Sequence, residues 1–230
     1  MIRKLQRICC PLLLCIPLTC FAEQLYKVEI IVFKRTPFAT AKAAEIAQDE
    51  DGDDYKELVP FKTEQTIEPY QLLPKSALTL TSERKILDHR KNYKVLLHVA
   101  WLQPIQDKHH TPAIHIYGGH RFNFLGETLG EASDINRLDS EILNDSQWEM
   151  NGTIRATRGG QYLLKANLVL TEPENQGEFN AQQGTNGEPL KRYYLNNSQP
   201  MRNNELHYFD HPRFGLLAQI TPYQEEGTNP

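Results

Sequence analysis

All four cysteines of this 230-residue chain, Cys9, Cys10, Cys15 and Cys20, lie among its first twenty residues. The stretch that carries them reads as a secretory signal peptide. Arg3, Lys4 and Arg7 supply a basic start, residues 8–20 are apolar except at Pro11, Pro17 and Thr19, and Cys20 and Ala22 set up a cut before Glu23. A membrane anchor is the competing reading, but the apolar run is about 13 residues and a spanning helix needs roughly 20. Lipid attachment at Cys20 is the other alternative, with Thr19 and Pro17 in places that normally hold a small and an aliphatic residue. With residues 1–22 removed, residues 23–230 contain no thiol. Such a chain has no disulfide staple, no Cys-ligated metal and no Cys nucleophile, so its fold must rest on an apolar core.

About 208 residues can build such a core as one large domain. Removal of the leader's three basic residues leaves 22 Lys and Arg against 29 acids, a formal net charge near −7. An acidic chain without a basic cluster is a poor nucleic-acid binder. No later run reaches membrane-spanning length.

Apolar alternation predicts strands. Tyr26, Val28, Ile30 and Val32 share one face of the first strand, at residues 26–33, and residues 95–102 are apolar on both faces apart from His98. Residues 152–157 and 161–171 read as a hairpin about Arg158-Gly159-Gly160, with Tyr162, Leu164, Ala166, Leu168 and Leu170 facing one way. Residues 114–117 read as a short strand ended by Gly118-Gly119, and residues 214–221 as the last strand. Residues 190–195 and 201–208 suggest a second hairpin turning at 196–200. Helices are expected at 39–48, 79–91 and, as a turn or two, 135–143. The sum is an α+β fold, a mainly antiparallel β-sheet with hairpins and two or three short helices, in one domain with polar insertions near 49–60 and 174–188.

Reaction chemistry is hard to find. No Gly-x-Ser-x-Gly elbow, Ser-x-x-Lys, His-Glu-x-x-His or phosphate-binding loop occurs. The acidic run from Asp49 to Asp54 lacks the Gly and Glu positions of a calcium loop. His109, His110, His115 and His120 are spaced along a loop and strand and do not form a metal-ligand pattern. The densest polar cluster is His207-Tyr208-Phe209-Asp210-His211, where Asp210 either orients an imidazole or caps backbone N–H groups at a strand-to-turn corner. No enzyme, cofactor or metal is expected.

From Met201 the chain reads Met-Arg-Asn-Asn-Glu-Leu-His-Tyr-Phe-Asp-His-Pro-Arg-Phe-Gly-Leu-Leu. This segment, with Tyr26-Lys27-Val28-Glu29-Ile30-Ile31-Val32-Phe33 and Leu96-Leu97-His98-Val99-Ala100-Trp101-Leu102-Gln103-Pro104, resembles the CsiV-type peptidoglycan-binding proteins of gammaproteobacteria. Two positions depart from the family pattern, Gln199-Pro200 before Met201 and Leu164 in place of a histidine. The resemblance implies a non-enzymatic periplasmic protein that binds peptidoglycan and supports wall assembly and cell shape. It also implies a partner in an outer-membrane lipoprotein that activates a class A penicillin-binding protein. Arg202, His207, Tyr208, Asp210, His211 and Arg213 are the implied ligand-binding residues. An adaptor that contacts envelope proteins through the strand edge near residues 201–208 is the alternative.

Overall fold

Strand β1, Leu25–Arg35, sends alternate residues into two different cores. The computed structural model describes residues 24–36, 55–57, 66–67, 70–131, 146–173 and 190–224. Tyr26, Val28, Ile30 and Val32 point into the main core, while Ile31 and Phe33 pack on the opposite face with Leu80 and Leu87. Both faces of β1 are therefore covered, which is why its burial is nearly continuous rather than alternating.

The remaining described strands are β2 (Tyr55–Glu57), β3 (Thr66–Ile67), β4 (Tyr70–Leu72), β5 (Tyr93–Pro104), β6 (Ala113–Phe122), β7 (Thr128–Glu131), β8 (Gln147–Arg158), β9 (Tyr162–Pro173), β10 (Leu190–Met201), β11 (Leu206–Asp210) and β12 (Phe214–Pro222). They form two sheets. The first has the order β11-β12-β1-β5-β4-β3, the second β10-β9-β8-β6-β2, with β7 also paired to β6. Every pairing is antiparallel except β2 with β6. The main core fills the space between the sheets, with Trp101, Phe209, Phe214, Met150 and Ile154 fully enclosed.

Helix α1, Thr81–His89, covers the outer face of the first sheet. At nine residues it is shorter than the roughly 12–15 that hold a helix in isolation, and its own N-cap residue, Leu80, provides no side-chain cap. The cap comes from the sheet. Buried Glu29 of β1 accepts the N–H groups of Thr79 (2.9 Å) and Leu80 (2.8 Å) and the Thr79 hydroxyl (2.7 Å). His98 Nε2 of β5 donates to the same carboxylate at 2.9 Å, and Lys27 Nζ lies 3.0 Å from it. Burial alone would raise the Glu29 pKa, but the hydrogen bonds from His98, Thr79 and Leu80 outweigh it and hold the carboxyl well below the usual range.

Several expectations are met closely. The strands expected at 26–33 and 95–102 are β1 and β5, the hairpin about Gly159-Gly160 is β8–β9, and the helix expected at 79–91 is α1. Leu164, Ala166, Leu168 and Leu170 all face the main core. Others need correction. The described residues hold one α-helix and one 3-10 turn, Lys75–Ala77, so the fold is mainly β rather than α+β with two or three helices. The helices expected at 39–48 and 135–143 and the insertion at 174–188 fall outside the described residues, as does most of the one at 49–60.

The hairpin expected to turn at 196–200 does not exist. Leu190–Met201 is one strand paired along its whole length with β9, and β11 then joins the other sheet. Pro200 is tolerated because β10 is the edge of its sheet, where a missing N–H removes no ladder bond. Gly118-Gly119 does not end β6 either. A Cβ at Gly118 would meet the Leu96 carbonyl oxygen at 2.5 Å, and at Gly119 (φ +76°) it would meet Glu149 Oε2 at 2.6 Å. The glycines let β6 bulge close under β5 and give Glu149 room.

Removing the Glu29 carboxylate leaves the Thr79 and Leu80 N–H groups and the buried His98 ring without their acceptor, so Glu29→Ala should cost about 3 kcal/mol at pH 7, with Glu29→Gln costing less. Urea unfolding of the two variants beside wild type reads this directly. A loss under about 1 kcal/mol for Glu29→Ala would show that the helix holds without its sheet-borne cap.

Candidate functional site

Antiparallel pairing brings the ends of β1, β6, β9 and β11 and the starts of β5, β8, β10 and β12 to one end of the sandwich, and charged side chains cap the core there. Lys34 of β1 crosses to the second sheet and pairs with the buried carboxylate of Glu149, and it lies 4.0 Å from Glu172 of β9. Lys94, the second residue of β5, is 3.7 Å from Glu149, with His120 Nε2 at 2.6 Å from its ammonium. Arg213, just before β12, pairs with Glu172 and lays its guanidinium 4.9 Å from the centre of the Tyr193 ring. These contacts tie the two sheets together where the apolar core stops.

Burial would raise the pKa of Glu149. The bond from Lys34, the His120 N–H at 3.0 Å and the Lys34 and Lys94 charges reverse that and lower it. Glu149 is therefore ionised at neutral pH.

A second group continues this end onto the outer face of the first sheet. Arg35 bonds to both the Tyr208 hydroxyl and Asp210, the latter at 2.7 Å, and the Tyr208 hydroxyl donates to Asp210 at 2.5 Å. The Tyr208 ring stacks on Phe33 with centroids 6.3 Å apart. Gly215 makes that stacking possible, since a Cβ there would come within 2.8 Å of both rings. The hydrogen bond from Tyr208 and, against burial, the Arg35 charge lower the Asp210 pKa. Burial and the bond to Asp210 raise that of Tyr208.

The six residues singled out in the sequence are divided by this geometry. Tyr208, Asp210, His211 and Arg213 stand at the charged end. Arg202 and His207 do not: they lie at the far end of β11, where the Arg202 N–H donates to His207 Nε2 at 3.1 Å and the exposed Arg202 guanidinium reaches Glu205 at 3.7 Å. Asp210 orients neither imidazole by a hydrogen bond. The corner is capped instead by His211, whose Nδ1 accepts the Arg213 N–H at 3.1 Å while the ring packs 4.7 Å from Phe214. Burial first, and then the Arg35 and Arg213 charges, lower its pKa against the pull of Asp210, so His211 serves as a neutral structural group. Trp101 is fully buried and donates to Gln103 at 2.6 Å.

Lys34, Lys94, Glu149 and Glu172 escaped the sequence reading. Their only signal is that each is a charged residue near the end of an apolar strand, and nothing in the sequence pairs residues 115 positions apart, as Lys34 and Glu149 are. Among the described residues no group of three or more His, Cys, Asp or Glu is placed to hold a metal ion, and no helix is long and apolar enough to cross a membrane. Chemically this end offers charge-assisted hydrogen bonding and aromatic surface.

A family model described as "Peptidoglycan-binding protein, CsiV" matches residues 7–223. Neither the curated proteins nor the solved structures give a match.

The sign of the pH dependence follows from Glu149. Its folded pKa lies below the unfolded value of about 4.3, so its contribution to stability is complete above that value and is lost as pH falls through the folded pKa. Glu149→Gln should therefore be less stable than wild type at pH 7, and the gap should narrow as pH falls below the unfolded value. Urea midpoints at pH 7, 5, 4 and 3 measure it, and a gap that stays constant with pH would assign the loss to packing rather than charge.

Proposed function

The chain belongs to the CsiV family of peptidoglycan-binding proteins, and on that premise we propose that it binds peptidoglycan without catalysis, at the charged end of the sandwich. One observation supports this placement above others. In a chain of net charge −4, among the described ion-paired residues at this end the cations Lys34, Arg35, Lys94 and Arg213 outnumber the carboxylates Glu149, Glu172 and Asp210. Lys94 keeps 40% of its side chain exposed, so its ammonium is reachable from solvent. Peptidoglycan presents carboxylates and amides on its stem peptides and apolar faces on its sugars. Lysine and arginine donors suit the former, and the exposed ring of Tyr208 suits the latter.

In this reading Lys94 and Arg213 receive a stem-peptide carboxylate and Tyr208 offers its half-exposed ring to a sugar. His211 keeps the Arg213 corner in shape, and Asp210 holds Tyr208 and Arg35 in place. Arg202 and His207, although part of the same sequence signature, are assigned no wall contact because they lie away from the cations. The setting is the periplasm, reached by cleavage after Ala22, and the role is support of wall synthesis and cell shape alongside a lipoprotein-activated class A penicillin-binding protein.

Pelleting purified mature protein with insoluble sacculi tests the proposal. Wild type should co-sediment, Lys94→Ala and Tyr208→Ala should each weaken binding by about tenfold, and Arg202→Ala should match wild type. Lys94 and Tyr208 are partly exposed, so both variants should fold. Wild type remaining in the supernatant defeats direct wall binding, and equal binding by Lys94→Ala and wild type moves the site elsewhere. Intact mass of the mature protein separates cleavage before Glu23 from lipidation at Cys20.

A further inference from the structure

Strand β5 is paired along its full length with β1 on one side, but on the other side β4 meets it only at its far end. Gln71 pairs with Leu102 and Leu72 with Trp101, and the Leu73 N–H donates to the Ala100 carbonyl at 2.9 Å. The chain then leaves the sheet at Pro74 into the 3-10 turn Lys75–Ala77. Along an antiparallel strand the main-chain N–H and C=O of alternate residues point to the same neighbour. Ala100 points toward β4, so His98, two residues earlier, presents its own N–H and C=O to the same side, where β4 has ended.

The burial of His98 agrees with this. Its side chain is 0% exposed, held on Glu29, while the residue as a whole is partly exposed, so what solvent reaches is its main chain. No hydrogen bond from a described residue fills this edge. Beside it lies a cavity of about 130 Å³, lined by Leu73, Lys75, Leu78, Arg84 and the β5 edge at residues 95–99. Leu73, Leu78 and Val95 give it apolar walls. Its charged lining is cationic only: no carboxylate lines it. Lys75 makes no ion pair with a described residue, and Arg84 reaches only Asp88, at 3.4 Å in an exposed pair of little strength.

We propose that this open edge of β5 is a docking site for an extended acidic segment of a partner protein, which adds to the first sheet beside residues 95–99. Main-chain pairing to His98 would supply the affinity, the apolar walls would take alternate side chains, and Lys75 and Arg84 would select carboxylates. An all-L segment suits an edge of this kind. Stem peptides, with D and L centres in one chain, cannot keep a regular ladder over several residues. The site lies on the side of the sandwich, running from Val95, next to Lys94, away from the charged end assigned to the wall, and differs from the edge near residues 201–208, where β10 and β11 belong to different sheets.

Amide exchange by NMR on the full mature protein tests this, with the capped hexapeptide Glu-Val-Glu-Val-Glu-Val as probe and Lys-Val-Lys-Val-Lys-Val as control. In free protein the His98 amide should exchange faster than that of Val99, which faces β1. The acidic peptide should slow His98 exchange at least about tenfold at millimolar concentration, the basic peptide should not, and Lys75→Glu/Arg84→Glu should abolish the effect while still co-sedimenting with sacculi. Equal slowing by both peptides, or none, overturns the proposal. So does slowing by soluble muropeptides in place of the acidic peptide. Protection of His98 already present in free protein also overturns it, whether from the chain's own acidic run Asp49 to Asp54 or, if concentration-dependent, from a second copy.

Discussion

The buried carboxylate of Glu29 ties the start of the short helix to the paired strands at the middle of the first sheet. It sits on β1, the strand at the middle of the first sheet, yet its partners are the start of α1, the side chain of His98 on β5 and the ammonium of Lys27. An isolated buried carboxylate would shift its pKa upward and neutralise. With several donors directed at it, the ionised form is the favoured one, and the donors are in turn satisfied by it. The helix is too short to persist alone and contributes only Leu80 and Leu87 to the outer cluster. Its position therefore depends on electrostatics as much as on apolar contact, and the outer face of the sheet would be bare without it.

A comparable device closes the other limit of the core. At the charged end, Lys34 and Arg213 reach across to Glu149 and Glu172 and replace apolar packing where the apolar core stops. The two devices differ in exposure. Glu29 and the His98 and Lys27 side chains on it are nearly sealed, so they act as structure. Around Glu149 and Glu172 the basic partners keep part of their surface, with Lys34 at 25% and Lys94 at 40%. A group that is structural on one side and solvated on the other can exchange partners with a ligand at modest cost, which a sealed group cannot.

How far the sequence revealed this follows from the range of each interaction. Period-two alternation is local, so β1, β5 and the β8–β9 hairpin were legible from their apolar faces and from Gly159-Gly160. The unbroken β10 was not, because Asn196, Asn197, Ser198 and Pro200 carry strong turn signals that an edge strand tolerates and an interior one would not. Gly118-Gly119 misled for a related reason: glycine marks a turn or a close approach with equal ease, and only the neighbouring Leu96 carbonyl and Glu149 carboxylate decide between them. The C-terminal signature pointed to Tyr208, Asp210, His211 and Arg213, but their partners Arg35, Glu172 and Tyr193 come from β1, β9 and β10. A run of adjacent residues also conceals that Arg202 and His207 stand at the other end of a strand.

Strand β5 links the two proposed surfaces. Lys94, near its start, belongs to the charged end, and His98, four residues on and about 13 Å away at 3.3 Å per residue, presents its main chain to the open edge. Pairing with β1 on one side and the clamp on Glu29 fix both positions relative to the core, so the strand acts as a rigid rule between them. A wall strand held at the charged end and a protein segment added at the edge would not compete for the same groups. Their separation would be set by β5 itself, an arrangement that would let a wall-binding protein hold a partner at a constant distance from its polymer.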